Sequence, residues 1–91
     1  MGDDLRNARF QREVLAAELY AAEHVSDVLE ICANVDGDDS ALTAALMTAF
    51  NFTEIQASVV QSMQVRRFTP LGVARIRSQL AELDDLLGNT A

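Results

Sequence analysis

Few side chains in this 91-residue chain carry chemistry, and their spacing decides what they can do. His24 is the only histidine and follows Glu23. A general base needs a hydroxyl or thiol nucleophile paired with it. None is visible beside His24, so a solvated or boundary histidine is expected. Asp36, Asp38 and Asp39 are close enough in sequence to gather a divalent cation. A calcium loop, however, requires a glycine at its sixth position and a distal glutamate, and neither is correctly spaced here. Helix capping is the expected role. Glu82, Asp84 and Asp85 read as solvated helix faces. The lone Cys32 cannot form an internal disulfide and falls on an apolar helical stripe, which predicts core packing in a reducing compartment. Arg66 and Arg67 can reach DNA or an acidic partner surface, or neutralise a helix end and pair with neighbouring acids. The last of these is the expected role. No catalytic, cofactor-binding or metal-binding residue is expected.

Composition narrows the classes further. Fourteen acids stand against seven arginines, with no lysine, for a formal charge of −7. Such a chain sets up no general field for phosphates, so direct nucleic-acid binding is not expected. No apolar run approaches the roughly 18 residues of a membrane span. The N-terminus is polar and shows no signal peptide, so a cytoplasmic location is expected. Apolar residues make up 49% of the chain but only five are aromatic, which favours closely packed helices rich in alanine and leucine.

The elements that position these residues form an all-α domain with no strand signal. Asp4 to Asn34 contains neither glycine nor proline and predicts one long helix. Leu15, Ala22, Val25, Leu29 and Cys32 lie on one stripe of it, with Val14, Ala21, Val28 and Val35 beside it. Residues 1–11 are more polar and read as an arm. Gly37, amid acids, breaks the pattern with a positive φ. A shorter helix over Ser40 to Phe50 turns Leu42, Ala45, Leu46 and Ala49 inward. Thr53 caps the next helix in a capping box with Gln56, with Phe52 as a staple. Ile55, Val59, Val60 and Met63 share one face, and Arg66 and Arg67 close the last turn. Thr69 and Pro70 then read as N-cap and first residue of a final helix to about Leu87. Its Val73, Ile76, Leu80, Leu83 and Leu87 follow a strict heptad, and Gly88 stops it. The predicted order is long helix, two short helices, long helix, with the first and last antiparallel.

The segment Phe52-Thr53-Glu54-Ile55-Gln56-Ala57, with Met63-Gln64-Val65-Arg66-Arg67-Phe68-Thr69 and Leu71, resembles the A subunit of bacterial type IIA topoisomerases, DNA gyrase and topoisomerase IV. That family has a Leu-(Ser/Thr)-Glu-x-Gln-Ala helix start and a Met-(Arg/Gln)-Leu-(Arg/Gln)-(Arg/Lys)-Leu-Thr-x-Leu end. Arg12, Leu15, Leu19, Ala21, Val25, Val28, Leu29 and Ile31 fit its helix leaving the DNA-gate body. Ala45, Leu46 and Phe50 fit its alanine-rich helix. Phe68 replaces the usual leucine, and Pro70-Leu71-Gly72 replaces Gly-Leu-Glu. The resemblance spans about residues 12–87, with 88–91 as a tail. It implies the small helical domain at the tip of the coiled-coil arms, where two copies meet as the exit gate. The family's DNA-cleaving tyrosine domain has no counterpart, and Tyr20 matches no catalytic motif.

These readings lead to a non-catalytic, homodimeric interaction module. The expected contact residues are Val60, Met63, Val65, Arg66, Arg67, Phe68 and Leu71. Pairing with a host gyrase or topoisomerase IV A subunit is a further expectation. The opening methionine and the polar residues 1–11 favour a stand-alone protein over a remnant. A small dimeric chorismate-mutase-like enzyme is the alternative of matching size, but it requires an essential lysine that this chain lacks.

Overall fold

The first helix is not continuous, although no glycine or proline interrupts it. In the computed structural model, which describes residues 2–88, α1 (Gly2–Glu23) stops at His24 and α2 (Val25–Asn34) starts again after it. His24 has φ −126° and ψ 41°, outside helical geometry. Its amide donates to the carbonyls of Tyr20 (3.0 Å) and Ala21 (3.2 Å), and its ring Nδ1 donates to the Tyr20 carbonyl at 2.8 Å. A side chain that takes a backbone carbonyl competes with the helical ladder. The imidazole also stacks on Tyr20, with ring centroids 4.0 Å apart, and Tyr20 packs edge-on against Phe50 and Phe52. Tertiary aromatic packing therefore holds the break, and this corrects the single long helix expected from the sequence.

The break also shifts the inward face. Val28 is buried and Ile31 and Val35 are half-buried, a 3- and 4-residue series on α2. Leu29, expected inward, is 62% exposed, and Cys32 is a free, exposed thiol. The stripe through Leu15 and Ala22 loses its phase at His24, so core packing of Cys32 is corrected.

Asp38 caps α3 (Asp39–Phe50), its Oδ1 accepting from the Ala41 amide at 3.2 Å. Gly37 has φ 156°, and a Cβ there would lie 2.8 Å from that of Ala41. Leu46 is buried; Ala49, expected inward, is exposed. Asn51 ends α3 in the left-handed region, at φ 57° and ψ 39°, where asparagine is one of the few tolerated side chains. Thr53 then caps α4 (Glu54–Gln61). Its Oγ1 accepts from the Gln56 amide (3.2 Å), and Gln56 Oε1 accepts from the Thr53 amide (3.0 Å), which completes the capping box.

The last helix, α5 (Pro70–Gly88), runs antiparallel to α1. Arg12 pairs with Asp84, and Glu23, eleven residues on, pairs with Arg77, so the two helices run in opposite senses. All five heptad residues of α5 are buried or half-buried, with Ile76 fully so. Within the stretch expected to be an arm, Ala8, one turn before Arg12, is buried. The expected tail beyond Gly88 lies outside the described residues. Among the described residues there is no strand, so the fold is all-α. The core is alanine-rich: Ala17, Ala21 and Ala57 are almost wholly buried beside Leu46, Val28 and Val60. Small side chains let the helices approach closely, and close packing makes up for the scarcity of large residues.

Candidate interaction surface

The corner after α4 is built differently from the sequence expectation. The α4 helix ends at Ser62, whose amide donates to Ser58 (3.2 Å) and Val59 (3.1 Å). Val65–Phe68 then forms a separate 3₁₀ turn, so Arg66 and Arg67 do not close α4. No glycine or proline marks that stop; the tertiary contacts of the corner set it. Thr69 Oγ1 donates to the Arg66 carbonyl at 2.9 Å and accepts from the Gly72 amide at 3.0 Å. One hydroxyl thus ties the 3₁₀ turn to the start of α5. Gly72 is buried against the same carbonyls: a Cβ on it would overlap the Arg66 oxygen and lie 2.6 Å from that of Arg67. Only glycine permits this approach.

The expected contact residues divide into two sets. Val60 is 5% exposed and belongs to the core, and Met63 and Phe68 are half-buried against that core. Val60 is therefore corrected from surface contact to packing residue: its side of α4 faces α1 and α3. Val65, by contrast, is 82% exposed and Leu71 60% exposed. Arg67 donates from Nε (3.2 Å) and Nη2 (3.1 Å) to Glu18 Oε2 in a partly buried ion pair. Arg66 is exposed, and among the described residues its guanidinium has no ion-pair partner. Arg75, one turn into α5, is in the same situation and was not singled out from the sequence. Its spacing from Arg66 crosses an element boundary, so no helical periodicity links the two.

Met63, Arg66, Arg67 and Arg75 line an open cleft of about 720 Å³ between the end of α4, the 3₁₀ turn and α5, with Glu18 in its lining. A second concavity follows the other half of α4, past Glu13, Thr53, Glu54 and Ile55, and shares Ser58 and Val59 with the first. The capping box anchors this end. Thr53 Oγ1 donates to Glu13 Oε1 at 3.1 Å and Gln56 Nε2 donates to the Glu13 carbonyl at 3.0 Å. The surface is tied down on both flanks and offers exposed apolar and charged groups between them. The hydroxyl–carboxylate contact on it, Thr53 to Glu13, belongs to the helix cap. Among the described residues no three His, Cys, Asp or Glu side chains gather to hold a metal ion. His24 and Tyr20 lie in the aromatic cluster at the helix break, away from this surface, with their rings stacked on each other.

Over 90 aligned residues, 91% of the chain, the protein is 33% identical to the A subunit of DNA gyrase from Streptococcus pyogenes. This chain is similar to a segment of the gyrase A protein. It is 29% identical to the same subunit from Brachyspira hyodysenteriae over 92% of its length, and 24% identical to that of Ureaplasma parvum over 94%. The chain spans only about a tenth of the length of these curated relatives. No protein-family model matches it. The similarity to gyrase A therefore extends from the capping motif at Thr53 to almost the whole helical domain. Among the described residues, no helix is long and apolar enough to cross a membrane.

Proposed function

We propose that this chain is a non-catalytic, cytoplasmic dimerisation module, in which two copies meet through the corner formed by α4, the 3₁₀ turn and the start of α5. The exposure of Val65 and Leu71 on that braced corner carries the reading. Large apolar side chains held in solvent by caps and backbone bonds are what a self-complementary contact covers. The resemblance of this same stretch to the exit-gate region of the topoisomerase A subunit points to the same surface. Such a role needs no cofactor. We further propose that the chain pairs with a host gyrase A subunit, which changes how the gate of that enzyme opens.

The test uses the two exposed residues, because Met63 and Phe68 pack on the core and their substitution disturbs folding. Val65→Asp with Leu71→Asp converts the dimer to a folded monomer by light scattering, with the helical circular dichroism of the parent. A folded double variant that stays dimeric assigns the contact to another face.

A further inference from the structure

The surface along α4 is charged at both ends, with opposite signs. At the C-terminal end the cleft holds Arg66 and Arg75, neither of which has a carboxylate partner among the described residues. At the N-terminal end stands Glu54, exposed and likewise without a cation partner among them, beside Glu13. Ser58 and Val59 are shared by both concavities and mark the middle. The apolar groups follow the same polarity: Ile55 is 49% exposed at the acidic end and Val65 is exposed at the basic end.

We propose that the second copy binds with its α4 antiparallel to the first, about a two-fold axis near Ser58, so that Glu54 of each copy enters the Arg66–Arg75 cleft of the other. This rests on the dimer reading above and specifies its geometry. A two-fold axis brings each residue against a different one except at the axis itself. A surface with unlike ends therefore matches itself only when its direction is reversed. Small residues suit the crossing point, and Ser58 and Ser62 are both exposed there. The cleft already hosts carboxylate chemistry, since Arg67 holds Glu18 in its lining. That carboxylate and the formal charge of −7 disfavour a polyphosphate as the occupant. A carboxylate arriving on a second copy meets two guanidinium groups, the donors best matched to it.

Charge reversal with rescue tests the geometry. Arg66→Glu with Arg75→Glu, and separately Glu54→Arg, each weaken dimerisation by at least about tenfold in low salt, because both symmetric contacts turn repulsive. The triple variant carrying all three changes restores dimerisation to within about threefold of the parent, since opposite charges meet again. Circular dichroism melts verify that each variant is folded. A triple variant no tighter than the double, or reversals that leave the dimer constant unchanged, overturns the antiparallel arrangement while the dimer itself stands. A monomeric parent chain overturns both. Reversals that abolish binding to a DNA duplex and spare the dimer reassign the arginines to phosphate and overturn the proposal.

Discussion

Gly72 is the residue on which the corner depends most directly. Its missing side chain lets α5 begin against the carbonyls of Arg66 and Arg67. Those atoms are backbone, so they yield only if the 3₁₀ turn moves. Gly72→Ala is expected to destabilise the fold by roughly 1–3 kcal/mol, the usual range for overpacking, despite alanine's better helix propensity. A thermal melt checks it; an unchanged or raised midpoint contradicts the close approach. Among the charged residues, the partly buried Arg67–Glu18 pair outweighs the exposed pairs Arg12–Asp84 and Arg77–Glu23, which are worth only about 0–1 kcal/mol each. Arg67 is therefore a structural cation, whereas Arg66 and Arg75 have no ion-pair partner among the described residues. The sequence shows two adjacent arginines and no means of separating these roles. Only the position of Glu18, 49 residues away, distinguishes them.

At the scale of elements, the capping box is the most informative local device. Thr53 caps α4 and also reaches Glu13 on α1, so it fixes the helix start and its docking together. Thr53→Ala is expected to cost about 1 kcal/mol for the cap, which lowers the melting midpoint by roughly 4–8 °C in a domain this small. A midpoint unchanged within error contradicts the role given to that hydroxyl. This helix start was legible in the sequence because its chemistry lies within four residues. The same holds for the Asp38 cap, the Thr69–Pro70 start and the heptad of α5. Helix ends set by distant packing were not legible. The stop at Ser62 has no breaker residue, and the break at His24 relies on Tyr20 packing against Phe50 and Phe52, which lie more than 25 residues further along. Both apolar stripes were expected inward through that break; past it only the one through Val28 and Val35 stays inward, joined by Ile31, while Leu29 and Cys32 turn out. For the proposed surface, Val65 and Leu71, chosen from residue type and from their place at the corner, are exposed. Val60 was assigned to it wrongly because α4 offers two apolar sides and the sequence does not say which one the core takes.

The whole molecule presents more surface than its mass requires. A compact monomer of 9.9 kDa exposes roughly 5,200 Å², whereas this one exposes 6090 Å². Its radius of gyration of 14.2 Å likewise exceeds the about 12 Å of a compact chain of this length. Elongation, a core in which only Leu46 and Ile76 are large and fully buried among the described residues, and the exposed apolar corner underlie the proposed association. The most direct test is the molar mass in solution, measured by light scattering for the protein alone and mixed with a host gyrase A subunit. A dimer is expected for the protein alone, and a species containing both chains is expected in the mixture. A monomer in both samples contradicts the dimerisation role.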